Sequence, residues 1–215
     1  MLLHKKKHII WDWNGTLLND TYYCVTCMNK VLGNYQLKNI SIDTYKKHFT
    51  FPVKDYYKAI GFDFERIDFE KPAQEFINEY YSGITSVKLH KGCHDILNTF
   101  EQKGVKQHVL SAMEHNMLVE SLSNFGIDYY FENITGISDH YAHSKVDVGK
   151  KLISEIGCST DDIIMIGDTI HDYEVAHNLE IDCLLISSGH QSHERLATVT
   201  SNIISELSEL KMFID

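Results

Sequence analysis

Short apolar runs and helical patterns alternate along most of the chain. The first run, His8–Trp11, leads into a polar turn and is typical of a buried strand. Further strands are predicted at Gln107–Leu110, Glu132–Thr135, Ile163–Ile166 and Cys183–Ile186. Helices are predicted at His94–Gln102, Asn116–Phe125, Asp147–Ile156, Tyr173–Asn178, after Gly189 and at Ile203–Phe213. Strands that alternate with helices at this spacing form βαβ units, so the pattern predicts an α/β fold with a Rossmann-like parallel sheet.

The segment between residues 17 and 87 has a different pattern. It is rich in Tyr, Lys and Phe and lacks clear strand runs. Thr21–Leu32 has apolar residues at helical spacing, and Tyr45–Ile60 and Pro72–Tyr81 are also predicted to be helices. We therefore predict a small α-helical domain at 17–87, inserted after the first strand of an α/β core formed by 1–16 and 88–215.

Composition narrows the class of protein. The 215 residues allow one large domain, or a core with a smaller insertion. Lys and Arg number 20 against 30 Asp and Glu, and a net charge of −10 disfavours a nucleic-acid partner. No apolar stretch approaches the ~18–20 residues of a membrane span, and no signal-peptide pattern follows Met1. We expect a cytoplasmic protein with no membrane partner, either a monomer or a homodimer.

In a cytoplasmic protein the cysteines are expected to be free thiols. They are Cys24, Cys27, Cys93, Cys158 and Cys183. The spacing Cys24-x-x-Cys27 is that of redox motifs, but the pair lies among helix formers with no strand before it. One pair also cannot supply four zinc ligands, so a redox or metal role for Cys24-x-x-Cys27 is disfavoured.

Residues whose side chains can take part in catalysis or ligand binding follow the predicted strands. Asp12 follows the first strand, Ser111 the second, and Asp168 the strand at Ile163–Ile166, with Asp172 four residues later. Lys145 lies just before a predicted helix. Because open parallel sheets bind ligands beyond the carboxyl ends of their strands, these side chains are expected to meet in one crevice.

Carboxylates gathered in one crevice repel each other unless a cation binds between them. Mg²⁺ prefers oxygen ligands from one or two carboxylates together with a phosphate. A lysine and a hydroxyl suit the remaining phosphate oxygens, and a carboxylate can itself be the nucleophile. The set of residues therefore predicts phosphoryl transfer, in which positioning and charge neutralisation supply most of the catalysis.

In this order the motifs resemble those of the haloacid dehalogenase (HAD) superfamily of hydrolases, in its phosphoglycolate-phosphatase-like branch. The first motif is Asp12–Thr16, against a family pattern of D-x-D-G-T. The second is Ser111, the third is Lys145, and the fourth is Gly167–Asp172, which matches G-D-x-x-x-D. The resemblance spans nearly the whole chain and implies a HAD-like core with a helical cap at the predicted insertion.

The resemblance also implies a metal centre and a nucleophile. Asp12 would be both the nucleophile and a Mg²⁺ ligand. Asn14 would offer its backbone carbonyl to the metal, and Asp168 would be a further ligand. The activity implied is that of a phosphatase acting through an aspartyl-phosphate.

The remaining motif residues are implied to hold the phosphate. Ser111 and the amide of Ala112 would bind phosphate oxygens, and Lys145 would neutralise the phosphate and the nucleophile. Asp172 would orient Lys145 or a metal-bound water. The partner implied is a small phosphorylated metabolite, and the cap would set specificity. Cap tyrosines that can contribute are Tyr22, Tyr23, Tyr45, Tyr56 and Tyr57.

Asn14 departs from the family pattern, which has the general acid–base Asp at this position. An amide cannot exchange a proton near neutral pH, and general acid–base catalysis contributes ~10²–10⁴-fold. Turnover is then slow, or leaving groups are good, or another group substitutes, and His115, His143 and His171 are candidates. The alternative is a catalytically impaired phosphate-binding or regulatory protein.

Other interpretations of single residues remain open. Lys150 and Lys151 compete with Lys145 but are expected to face solvent, and Gly189-His190 either edges the site or is a plain loop. Dehalogenation needs no Mg²⁺, and the intact Gly167–Asp172 motif therefore argues against dehalogenation. Phosphonate cleavage needs a Schiff-base lysine from the cap, and nothing distinguishes one of the available lysines, which include Lys46, Lys47 and Lys54.

Overall fold

The computed structural model describes residues 3–137 and 145–213, without the side chains of His4 and Phe213. The strands are β1 (His8–Trp11), β2 (Leu18–Asn19), β3 (Lys88–Leu89), β4 (Lys106–Glu114), β5 (Asn133–Ile137), β6 (Ile163–Gly167), β7 (Asp182–Ile186) and β8 (Ile203–Ile204). The α-helices are α1 (Thr21–Asn34), α2 (Ile42–His48), α3 (Val53–Ala59), α4 (Glu70–Gly83), α5 (Cys93–Gln102), α6 (His115–Asn124), α7 (Lys145–Ile156), α8 (Ile170–Asn178) and α9 (His193–Leu196).

Six of these strands form a parallel sheet with the order β5-β4-β1-β6-β7-β8. β1 lies inside the sheet, and Ile9, Ile10 and Trp11 are fully buried. Ile9 and Trp11 belong to one hydrophobic cluster and Ile10 to another, because successive side chains point to opposite faces of the sheet. A strand covered on both faces is typical of an α/β fold, so the predicted fold class is confirmed.

The register of the sheet brings three strand ends together. Trp11 of β1 pairs with Val109 of β4 on one side and with Ile166 of β6 on the other. Asp12 therefore lies at the same edge as Ser111 and Asp168, each one or two residues beyond these pairs. This edge of the sheet is where the sequence predicted a ligand site.

The helices α1 to α4 are inserted after β1, as predicted. The insertion begins and ends at a small antiparallel sheet, in which Leu18 of β2 pairs with Leu89 of β3. α1 packs against α4 and α2, and its buried residues join the hydrophobic cluster that covers one face of β1. We call α1 to α4 the cap; the domain boundaries at residues 17 and 87 stay a prediction.

Two predicted helices are wrong. The segment Tyr45–Ile60 forms two helices, α2 and α3, because Pro52 has no backbone N–H to donate and its ring clashes with a preceding helical turn. The tail Ile203–Phe213 is not one helix either. Ile203 and Ile204 pair with the edge of β7, since β-branched residues suit a sheet, and a 3₁₀ helix follows at Leu207–Phe213.

The second strand of the core is longer than predicted. The sequence placed its end at Leu110, followed by Ser111 and Ala112, whereas β4 continues to Glu114. Its register with β5 shifts between Leu110 and Glu114, so the strand is irregular where Ser111 lies.

None of the helices in the described part of the chain combines the length and the apolar character that a membrane span requires.

Candidate active site

Lys145 joins two carboxylates at the predicted edge of the sheet. Its Nζ lies 2.6 Å from Asp12 Oδ1 and 2.6 Å from Asp172 Oδ1. Asp12 follows β1 and is anchored by its backbone N–H, which donates to the Ile166 carbonyl. Lys145 begins α7, Asp172 lies in the first turn of α8, and all three charged side chains are buried. Three separate elements thus bring one ammonium and two carboxylates into direct contact.

Asp172 holds the fourth motif in shape with its other oxygen. Asp172 Oδ2 accepts hydrogen bonds from the backbone N–H groups of Asp168 and Thr169 and from the Thr169 hydroxyl, at 3.2, 3.0 and 2.7 Å. Thr169 in turn caps α8 by accepting from the Asp172 N–H, which completes a capping box. Asp172 therefore positions Lys145 and fixes the loop that carries Asp168.

Asp168 is fully buried between two glycines. Its Oδ1 accepts from the Thr16 hydroxyl at 3.1 Å, and its Oδ2 accepts from the His190 backbone N–H at 2.5 Å. A Cβ at Gly15 would lie 2.3 Å from Asp168 Oδ2, and one at Gly189 would lie 2.1 Å from it. Gly15 also has a φ of +76°, so only glycine fits there.

The charges of the site do not balance. With all three carboxylates ionised, Asp12, Asp168 and Asp172 would oppose the single ammonium of Lys145 with an excess of two negative charges in a buried site. Burial, reinforced by the neighbouring carboxylates, raises the pKa of Asp12 to about 8 and that of Asp168 to about 6. Burial acts the same way on Asp172, but Lys145 holds the pKa of Asp172 below its ordinary value.

This donor set fits Mg²⁺. Carboxylate oxygens of Asp12, Asp168 and Asp172 lie within 4.8 Å of one another, and a divalent cation would offset the charge excess. All the donors are hard oxygen atoms, which magnesium prefers over nitrogen and sulfur. Asp12 and Asp168 are the residues that would hold the ion, with the backbone carbonyl of Asn14, two residues after Asp12.

The predicted phosphate-binding residues lie on the neighbouring strand. Ser111 is buried in β4, and its hydroxyl accepts from the Met113 N–H at 3.1 Å. Ala112 follows it and is half-buried. The rival lysines Lys150 and Lys151 are both exposed on α7, as expected. The structure thus brings Lys145 into direct contact with Asp12 and Asp172, places the Asp168 carboxylate within 4.8 Å of theirs, and places Ser111 and Ala112 at the same edge of the sheet.

The amide of Asn14 is held by two partners. Its Nδ2 donates to Asp20 Oδ2 at 2.9 Å and to the Tyr80 hydroxyl at 2.7 Å, and the Tyr80 hydroxyl donates to the same Asp20 oxygen at 2.7 Å. Asp20 Oδ1 accepts from the Gly15 N–H. Although Asp20 is buried, His190, Tyr80 and Asn14 lower its pKa to about 2.

His190 completes this network from the loop after β7. Its Nε2 lies 3.2 Å from Asp20 Oδ1, and its Nδ1 lies 3.0 Å from the Tyr45 hydroxyl of the cap. Burial favours the neutral ring, but Asp20 raises the pKa of His190 to about 9, so the pair is charged at neutral pH. Of the two readings of Gly189-His190, the structure supports the one at the edge of the site.

Sequence reasoning missed Asp20 and Tyr80. Asp20 precedes α1 and has the position of an N-cap, yet its side chain makes no capping hydrogen bond and turns toward Asn14 instead. The three histidines considered as substitutes for the general acid–base lie in different surroundings. His115 is exposed, His171 packs against Phe51 with ring centroids 4.7 Å apart and the rings tilted by 31°, and His143 lies outside the described residues.

Comparison with known proteins identifies a matching family and relatives of low sequence identity. The family model described as haloacid dehalogenase-like hydrolase matches residues 9–186. Tyrosine-protein kinase PtkA of Mycobacterium tuberculosis is 23% identical over 94% of this chain and 69% of its own length. Pyrophosphatase PpaX of Halalkalibacterium halodurans is 21% identical over 76% of this chain and 75% of its own length.

Solved structures show the same architecture. A haloacid dehalogenase-like family protein from Streptococcus pneumoniae superposes with a TM-score of 0.83 at 19% sequence identity, covering 97% of this chain and 98% of that one. At this level of identity the likeness concerns the fold.

Proposed function

Because the chain belongs to the haloacid dehalogenase-like hydrolase family, we propose that it is a Mg²⁺-dependent phosphatase acting on a small phosphomonoester through an aspartyl-phosphate. The observation that carries the proposal is the buried contact of Lys145 with Asp12 and Asp172, beside Asp168. The names of the two curated relatives, a tyrosine-protein kinase and a pyrophosphatase, both describe chemistry at phosphorus.

In this reaction Asp12 attacks phosphorus through a carboxylate oxygen, the phosphorus–oxygen bond of the ester breaks, and the leaving oxyanion takes its proton from water. Water then attacks the aspartyl-phosphate, which releases inorganic phosphate and restores the Asp12 carboxylate. Lys145 holds Asp12 in place and offsets phosphate charge, while Ser111 and the Ala112 amide bind phosphate oxygens. Bound Mg²⁺ supplies charge neutralisation at the transferring phosphoryl group.

The cap lies against the core beside this site and limits the size of the substrate. The Tyr45 hydroxyl contacts His190, Lys46 Nζ donates to the Ser188 carbonyl at 3.1 Å, and Gln191 Nε2 donates to the Phe49 carbonyl at 2.9 Å. These contacts join α2, and the residue just after it, to the loop that follows β7. A substrate enclosed between cap and core is therefore small, and closure excludes water from the first step.

The alternative is a phosphate-binding or regulatory protein without turnover. Asn14 favours it, because the amide occupies the position of the family's general acid and its nitrogen donates to Asp20 and Tyr80. Such an amide positions groups but transfers no proton near neutral pH. The two functions differ in whether phosphate is released.

Release of p-nitrophenol from p-nitrophenyl phosphate separates the two functions. This leaving group needs little protonation, so the absence of an acid at Asn14 costs least there. We expect turnover with Mg²⁺ and its loss in EDTA, since chelation leaves the buried carboxylates without a cation. Turnover that persists in EDTA would contradict the metal requirement, and a silent wild-type protein that still binds phosphate would favour the regulatory alternative.

Exchanging the acid and the amide tests how Asn14 is held. In Asn14→Asp the new carboxylate faces Asp20 across a contact that is now 2.9 Å, so this variant should melt below the wild type. Adding Asp20→Asn restores a donor and an acceptor with their roles reversed. We expect the double-mutant cycle to give a coupling free energy of ~0.5–3 kcal/mol in chemical denaturation. Additive effects of the two substitutions would show that the contact between residues 14 and 20 is not formed.

A further inference from the structure

A second cluster of metal-binding side chains lies beside the carboxylate site. It consists of Asp20, Cys24 and His190, whose ligand atoms all lie within 4.8 Å of one another. The Cys24 thiol donates to Asp20 Oδ2 with a sulfur–oxygen distance of 3.6 Å, and His190 Nε2 lies 3.2 Å from Asp20 Oδ1. All three side chains are buried. The cluster differs from the magnesium donor set because it offers a sulfur and a nitrogen.

The geometry points to a zinc site: we propose that Asp20, Cys24 and His190 bind Zn²⁺ and thereby join the cap to the core. Zinc bonds of about 2.3 Å to sulfur and about 2.0–2.2 Å to nitrogen and oxygen place tetrahedral ligand atoms roughly 3.3–3.6 Å apart. His190 Nε2 lies 3.2 Å from Asp20 Oδ1 and Cys24 Sγ lies 3.6 Å from Asp20 Oδ2, so both separations have this size, each to a different oxygen of the carboxylate. Three protein ligands leave the fourth position for a small ligand such as water.

His190 and Asp20 each have a further hydrogen-bond partner that fixes the orientation of the side chain. The Tyr45 hydroxyl contacts His190 Nδ1, which is the ring nitrogen that would not bind the metal. The Tyr80 hydroxyl and the Asn14 amide donate to Asp20 Oδ2. Zinc sites in proteins orient their histidine and carboxylate ligands in this way, through hydrogen bonds from a second layer of residues.

Zinc can enter this buried cluster without changing its net charge. The charged form of the cluster has a carboxylate at Asp20, a cationic ring at His190 and a neutral thiol at Cys24, which sum to zero. Binding releases the Nε2 proton of His190 and the thiol proton of Cys24 to solvent. The thiolate, the carboxylate, the neutral imidazole and Zn²⁺ again sum to zero, so no uncompensated charge is buried.

The ligands come from two parts of the fold. Cys24 lies on α1 of the cap and Asp20 directly precedes that helix, whereas His190 belongs to the loop after β7 of the core. The same His190 donates its backbone N–H to Asp168. Zinc therefore acts as a clamp that holds the cap onto the loop beside the carboxylate site.

Cobalt spectroscopy on the metal-free, full-length chain tests the site without reference to catalysis. Co²⁺ bound by a thiolate gives a near-ultraviolet charge-transfer band that Co²⁺ on carboxylates lacks. We expect the band to saturate at one equivalent, to be abolished by Zn²⁺ and to persist in excess Mg²⁺. Absence of the band, or its loss in excess Mg²⁺, overturns the proposal.

Variants of the two cysteines on α1 provide the matched control. Cys24→Ser should lose the band, while Cys27→Ser, which changes the other buried cysteine of the same helix, should keep it. A band that survives Cys24→Ser overturns the assignment. If Cys24→Ser fails to fold, Cys24→Ala serves instead, and Zn²⁺ should raise the melting temperature of the wild type but not of this variant. Neither readout depends on phosphate release, so the zinc site and the phosphatase activity succeed or fail separately.

Discussion

Asp12→Asn is expected to lose p-nitrophenyl phosphate turnover by about 10⁴-fold or more, since the amide cannot form the aspartyl-phosphate. The substitution keeps the size of the side chain, and its amide oxygen can still accept from Lys145 Nζ, now 2.6 Å from Asp12. Burial already disfavours the charged carboxylate, whose pKa is raised to about 8. The loss is therefore expected in the turnover number, without loss of the fold.

Two measurements make this result specific to the nucleophile. The melting temperature of Asp12→Asn should be no lower than that of the wild type. Asp147→Asn removes an exposed carboxylate in the first turn of α7 and should leave turnover unchanged. Turnover of Asp12→Asn within tenfold of the wild type would remove Asp12 as the nucleophile, and the aspartyl-phosphate mechanism with it.

The core of the site follows from sequence because parallel strands share one edge. Asp12 and Asp168 each follow a short apolar run, and the pairing of Trp11 with Ile166 brings the two run ends side by side. The same argument located Ser111. Its predicted location holds although β4 continues beyond Leu110, because Ser111 still lies at that edge of the sheet. Sequence pattern thus predicted where these side chains meet, while the family resemblance supplied their roles.

The hydrogen-bond network around Asn14 could not be predicted from the sequence. Asp20 and His190 are 170 residues apart, and only the docking of the cap on the loop after β7 brings them together. Periodicity predicts which face of a helix is buried, but not which core loop it covers. Tyr80 illustrates the limit, since an aromatic residue in α4 predicts packing and says nothing about a hydrogen bond to Asn14.

Lys145→Met is expected to cause a large loss of stability. The change leaves Asp12 and Asp172 buried without the cation that now lies 2.6 Å from each. Removing one partner of a buried ion pair costs about 3–5 kcal/mol in the free energy of unfolding, and a chain of this size should melt roughly 10 °C lower. Calorimetry in EDTA measures this cost, because no divalent cation then offsets the carboxylates.

The neighbouring lysine separates charge from helix effects. Lys150→Met makes the same chemical change at an exposed position of α7 and should leave the melting temperature unchanged. Adding Asp12→Asn to Lys145→Met removes one of the stranded carboxylates, so the double variant should regain part of the stability while staying inactive. If Lys145→Met melts like Lys150→Met, the three buried charges do not interact as the structure places them. The case for a phosphoryl site would then lose its central contact, because the ammonium that holds Asp12 in place is the same group that would receive the phosphate.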